Sequence, residues 1–172
     1  MPSPLGHALG GIGAGWLAGG RLPAGSGDEH RLAREALLFG LAGTLPDLDL
    51  LVGAHSTYTH SLGAVAIVAA VTALLTRGRH PRLVLGVAAA WASHVLLDWL
   101  GSDTSPPIGI MALWPFSDGF YQSSLFLFDA ISRRYWLPQE FIWHNLRAAV
   151  GELVILAPLV YVAWRLRSTG RG

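Results

Sequence analysis

The chain has 172 residues, 52% of them apolar and only 13% charged, with a net charge near +1. The charged share is about half the usual one, and the length allows one domain or one membrane-embedded bundle. No cysteine is present, which excludes disulfides, thiolate zinc sites, iron–sulfur clusters and thiol catalysis. No basic stripe marks a nucleic-acid surface, so direct nucleic-acid binding is not expected.

Five apolar segments follow in order, at 5–20, 34–52, 60–76, 83–100 and 148–165. Each is near the lower limit of the about 17–25 residues that cross a bilayer. They are rich in Ala, Leu, Gly and Val without period-2 alternation, so they are predicted as helices. The first holds Gly10, Gly11, Gly13, Gly15 and Gly19, small residues that permit close helix packing in a membrane. No basic region precedes it, the first arginine being Arg21, so it is expected to be retained and not cleaved as a signal.

Gly19 to Gly27 is predicted as a loop, Pro46 interrupts the second segment, and Arg77 to Pro81 is a tight connection. Residues 101–147 form a long excursion holding ten of the seventeen aromatics, from Trp114 to Trp143. It is either a folded lid with its own core or a belt of rings at headgroup depth. Ser123 to Arg134 is predicted as a short amphipathic helix within it. The expectation is an all-α, membrane-embedded bundle of about five short helices. Residues 1–172 form a single domain, and the long aromatic lid at 101–147 lies between helices four and five.

Labelling each segment by its ends exposes a pattern. His7 opens the first, and Arg21 follows it. The second starts after Arg31 and Arg34 and ends at Asp47 and Asp49. The third begins at His55 and His60 and ends at Arg77 and Arg79. The fourth runs from Arg82 to His94 and Asp98, and the fifth from Glu152 to Arg165 and Arg167. Antiparallel helices would gather the His and Asp residues at one end and most arginines at the other. Arg133, Arg134 and Arg147 are the exceptions. The positive-inside tendency then turns the His/Asp end away from the cytoplasm, in a multi-pass membrane protein.

An unpaired imidazole or carboxylate beside a run of Leu and Val loses its hydration, and convergence on a cation would offset that cost. His94 and Asp98 are four apart, one turn of helix, and can reach one ion. Pro46 disfavours helical geometry at Leu45, so Asp47 and Asp49 fall on a turn where both can converge or one can hold an imidazole. Asp47 as a helix N-cap is the competing assignment. Thr59 is predicted as an N-cap, which places His60 in the first turn. His55 on the preceding loop and His7 in the glycine-rich helix complete the set. Glu152, the sole acid of the last segment, is a ligand, a support for a ligand or a proton carrier. His30, His80 and His144 are expected as solvated surface groups. The metal set is thus His7, Asp47, Asp49, His55, His60, His94 and Asp98. Asp49, His60, His94, Asp98 and Glu152 are the catalytic candidates. A His/carboxylate inventory suits one or two divalent ions, zinc foremost, with manganese, iron or magnesium as alternatives. Two ions about 3.5–4 Å apart would activate water between them.

The order of these motifs resembles the YdjM-like family. The matching features are His7, Pro46-Asp47-Leu48-Asp49, His55 with Thr59-His60-Ser61, Ser93-His94 with Asp98, and Trp114-Pro115-Phe116. Its members are described as inner-membrane-associated, LexA-binding, metal-dependent hydrolases. The family often carries an arginine after the first histidine of the His55–His60 stretch, whereas Ser56 stands here. The His94–Asp98 pair is also similar to one in zinc-dependent phospholipase C. The resemblance implies a membrane-bound hydrolase using metal-activated water on a phosphoester or lipid-like substrate. The alternative is a non-enzymatic membrane protein whose metal is structural and which binds or regulates a protein partner. An ion transporter is disfavoured, because no acid or histidine continues a path mid-segment.

Overall fold

A computed structural model describes residues 1–20, 29–53 and 55–168. The Gly19–Gly27 loop beyond Gly20, Arg21, Asp28 and the Arg/Gly end of the chain lie outside them. Five helices form: α1 Pro4–Ala18, α2 Glu29–Thr44, α3 Leu62–Leu75, α4 Pro81–Leu100 and α5 Pro138–Ser168. Among the described residues there is no strand, only single bridges pairing Gly101 with Phe128 and Ile110 with Tyr121. The fold is therefore the all-α bundle expected, with two differences of length. The final helix starts at Pro138, ten residues early, and runs for 31 residues. The Ser123–Arg134 helix does not form. Its backbone bonds instead to the end of α4, with Ser123 N–H donating to the Trp99 carbonyl (2.8 Å) and Leu127 N–H to that of Leu100 (2.9 Å). The segment thereby satisfies the carbonyls that a helix leaves open at its C-terminus.

Helix α1 is the hub, packed against α2, α4 and α5, while α3 lies on α4. Its glycines permit this. A Cβ on Gly43 of α2 would stand 2.5 Å from the His7 carbonyl oxygen and 3.0 Å from Gly11 Cα, so the two backbones cross with no room for a methyl group. The Phe39 ring, 1% exposed, fills the space that Gly15 and Gly86 leave open. It anchors a core with Trp16, Val87, Ala90 and Ala163. Helix α5 buries Ala148, Glu152, Leu156, Ala163 and Arg167, a single face at helical spacing.

The outward faces stay apolar, with Leu37, Leu74, Leu75, Val154 and Leu159 all exposed. A contiguous apolar exterior marks a surface that meets something other than water. Helices α4 and α5 are long and apolar enough to cross a membrane. By contrast α1, α2 and α3 hold 15, 16 and 14 residues. They reach roughly 21–24 Å at the helical rise, short of the ~30 Å hydrocarbon core.

In the 101–147 excursion Ile110, Met111 and Phe128 are buried, but Phe116 is 94% exposed and Tyr135, Trp136 and Trp143 stand in the open. Most of these rings are thus exposed. The excursion is nevertheless fastened to the bundle. The Ala112 and Trp114 carbonyls accept from Leu62 and Gly63 N–H at the start of α3 (2.9 and 3.0 Å), and Met111 N–H donates to the Ser56 carbonyl (2.9 Å).

Candidate metal centre

The helices alternate in direction, so the N-terminal ends of α1 and α3 meet the C-terminal ends of α2 and α4. Ser3 caps α1, its Oγ accepting from Gly6 N–H, with Pro4 in the first turn. His7 then lies one turn in. Pro46 ends the α-helical part of α2 at Thr44, and Leu45–Val52 continues as a 3-10 turn carrying Asp47 and Asp49. Asp47 therefore sits within that turn and caps no α-helix. A second 3-10 turn, Tyr58–His60, delivers His60. The cap of α3 is Ser61 and not Thr59: Ser61 Oγ accepts from Ala64 N–H (3.0 Å). Thr59 Oγ1 donates instead to Asp49 Oδ2 (2.7 Å).

These elements bring the predicted ligands together. Asp98 Oδ2 lies 3.2 Å from His60 Nε2 and 3.1 Å from His94 Nε2. Asp47 Oδ1 stands 3.7 Å from each of the same two nitrogens. His7 Nε2 is 3.3 Å from the other Asp98 oxygen, and its ring stacks on His94 with centroids 3.7 Å apart. His7, His60 and His94 are fully buried, and Asp98 is 1% exposed. The Asp47 side chain, 23% exposed, is the open edge of the cluster.

Proton placement decides what this geometry means. His94 Nδ1–H donates to the Gly43 carbonyl (2.7 Å), leaving Nε2 as a bare lone pair. His60 Nδ1 faces Asp49 Oδ2 at 3.1 Å, which leaves its Nε2 in the same state. Both lone pairs then point at a carboxylate oxygen. His7 Nε2, His60 Nε2, His94 Nε2 and both Asp98 oxygens are buried without a hydrogen-bond partner. Facing lone pairs repel unless a positive charge lies among them, and buried polar atoms are rarely left unpaired. Four ligands about 2.0–2.1 Å from one zinc stand about 3.3 Å apart, close to the separations found. The residues fit a divalent ion held by Asp47, His60, His94 and Asp98, with His7 against the free Asp98 oxygen.

The remaining candidates support this cluster from outside. Asp49 places Oδ1 2.9 Å from His55 Nδ1 while Oδ2 meets His60 and Thr59, so both oxygens are engaged by neighbouring side chains. Burial would raise its pKa, but hydrogen bonds from His55, His60 and Thr59 hold it well below the usual carboxylate range. For His60, burial acts downward, but contacts to Asp47, Asp49 and Asp98 outweigh it and push the imidazole up to about 11. A cluster this acidic recruits a proton when it has no other cation. His55, Asp47 and His60 also lie close enough to share an ion. Glu152 does not reach the cluster. Its carboxylate accepts from Ser3 N–H (2.6 Å) and Ser3 Oγ, clamping the start of α1 to α5.

A cavity of about 520 Å³ opens beside His55, walled by Met1, Ser102, Asp103, Arg133 and Arg134. Arg133 Nη2 lies 3.3 Å from His55 Nε2. Two arginines that broke the end-to-end charge pattern are therefore cavity residues. His144 borders the same cavity as an exposed surface group, as expected, with its Nε2 2.6 Å from the Ala130 carbonyl. Sequence reasoning missed Ser3, although Ser-Pro before an apolar run is a helix-start signal. It also missed the Gly43 carbonyl, which no sequence pattern announces.

The family model described as YdjM inner membrane protein matches residues 1–171. The chain belongs to that family. No curated protein and no solved structure matches it. The family assignment, the two apolar spans and the buried His/Asp groups together describe an inner membrane protein equipped to hold a metal ion.

Proposed function

We propose that the protein is a membrane-bound, metal-dependent hydrolase whose substrate enters the cavity beside His55. The carrying observation is the convergence of His60 Nε2, His94 Nε2 and the Asp98 carboxylate on one buried point, with the more exposed Asp47 at its edge. Zinc is the favoured ion, held by Asp47, His60, His94 and Asp98. Such an ion lowers the pKa of a bound water and polarises a phosphoryl or carbonyl oxygen.

The chain's own residues supply the rest. Asp49 orients both His55 and His60, and the Gly43 carbonyl fixes the tautomer of His94. His55 holds Nδ1 against Asp49 and Nε2 against Met1 Sδ (2.9 Å) and Arg133 Nη2 (3.3 Å) at the cavity wall, an imidazole oriented by a carboxylate as a proton carrier is. Its partner in the cavity is a phosphoester or a lipid-like ester, delivered from the bilayer along the exposed aromatic rings of the 101–147 lid. The chain crosses the membrane several times, with the site at the non-cytoplasmic face.

Metal analysis of the purified protein, joined to a phosphoester and acyl-ester screen, tests this reading. Stoichiometric transition metal and an activity lost in His94→Ala are expected. Metal-free protein whose turnover survives that substitution would refute it. The complete burial of His7, His60 and His94 favours a second reading, in which the ion staples α1, α4 and the two turns and the protein serves a partner. That reading predicts stoichiometric metal without turnover of any ester.

A further inference from the structure

A second cavity, of about 360 Å³, lies at the opposite end of the bundle from the His/Asp cluster, where α2 and α4 begin and α5 ends. Its walls carry Arg31, Arg79, Arg82, Arg167 and His80, and Glu35 is its one acid. Glu35 is already committed. Arg167, 4% exposed, reaches both its oxygens through Nε (3.1 Å) and Nη2 (2.9 and 3.0 Å), and also donates to the Gly20 carbonyl. Arg31 Nε takes a further contact at 3.3 Å. That ion pair is a built floor, joining α1, α2 and α5, and it consumes the negative charge.

Arg79 and Arg82 are left over. Among the described residues neither lies within ion-pair distance of a carboxylate. Arginines that serve only to orient a helix need nothing but water, whereas these two border a hollow with a rigid floor. Guanidinium groups in a fixed fork match phosphate oxygens. The walls also continue into apolar surface: on α2, Leu38 and Leu41 are exposed one to two turns further from this end, and on α4 Leu85 is 57% exposed. A ligand that fills the cavity and covers those leucines is anionic at one end and hydrocarbon at the other.

We propose that this cavity binds the phosphate of an acidic phospholipid, with Arg79 and Arg82 clasping the headgroup and the acyl chains lying on α2 and α4. Lipid phosphate at the ends of spanning helices attracts basic side chains, and a cavity adds a defined place to hold it. The site is separate from the metal centre and stands whether or not that centre is catalytic.

The test uses the full chain in neutral detergent. Thermal unfolding is followed with added phosphatidylglycerol, phosphatidylcholine or inorganic phosphate, in the wild type and in the R79Q/R82Q variant. Both arginines are exposed and unpaired, so the variant should fold, and its metal content serves as the check. Phosphatidylglycerol should raise the midpoint by several degrees over phosphatidylcholine in the wild type, and the variant should lose at least half of that increment. Native mass spectrometry of the wild type should retain acidic lipid in preference to zwitterionic lipid. Equal stabilisation by both lipids, or an undiminished increment in the variant, would overturn the proposal. Inorganic phosphate matching phosphatidylglycerol would overturn the lipid assignment in favour of a free-anion site.

Discussion

Gly43→Ala places one methyl group where α1 and α2 cross, and its consequences can be worked from the geometry. The new Cβ would stand 2.5 Å from the His7 carbonyl oxygen, 3.0 Å from Gly11 Cα and 3.3 Å from Gly11 N. All three are backbone atoms, so no rotamer change can relieve the clash. Restoring ordinary contact at about 3.4 Å requires the helices to part by nearly 1 Å. Overpacking of this kind costs about 1–3 kcal/mol, and for a chain of this size each kcal/mol lowers the melting temperature by about 2–4 °C. The same displacement moves His7 away from Asp98 and shifts the Gly43 carbonyl that holds His94. Metal shells tolerate about 0.2 Å, and losing an outer hydrogen-bond partner costs about 10–100-fold in metal affinity. Zinc titration with a competing chelator and a thermal melt read the two effects. Gly151→Ala is the control, because its Cβ would meet nothing within 4 Å and a mid-helix alanine gains about 0.5–1 kcal/mol. A Gly43→Ala protein with wild-type melting and wild-type zinc affinity would refute the close crossing and the role of α1 in building the site.

Glu152→Ala should destabilise the protein by about 1.5–3 kcal/mol per lost charged hydrogen bond and weaken zinc binding through His7, while leaving the pH dependence of any activity unmoved. An altered pH profile with unchanged stability would make Glu152 a proton carrier instead. Arg167→Gln breaks the buried pair with Glu35 and should cost about 3–5 kcal/mol, read as a lowered melting temperature with metal content unchanged. Metal uptake should release protons. Contacts to Asp47, Asp49 and Asp98 hold the His60 imidazole well above its usual pKa, so near neutral pH an entering ion displaces its proton, and affinity should rise about tenfold per pH unit from this group alone. Affinity that does not change between pH 6 and 8 would contradict that displacement.

The ligand cluster was readable because its residues are chemically misplaced. His7, Asp47, His60, His94 and Asp98 stand out against apolar neighbours, and alternating helix direction is enough to gather them. Asp49 was equally conspicuous, yet its distinct work depended on contacts with Thr59, His55 and His60 that only folding creates. Thr59 looked like a cap because Thr before a helix usually is one, and Ser61 competed for the same task with better geometry. The Ser123–Arg134 segment carries a helical pattern, but the open carbonyls of α4 offered its N–H groups closer partners. Glu152 was visible as the lone acid of α5. Its target was not, since Ser3 lies 149 positions away in the chain.

That last contact bears on how the molecule is made. Helix α1 is surrounded by α2, α4 and α5, and its opening turn is clamped by Glu152 of α5, which is synthesised long after it. Until α5 has been synthesised, Ser3 has no carboxylate to bind. A chain stopped within the lid would therefore carry every His and Asp of the cluster yet lack the carboxylate that clamps the start of α1.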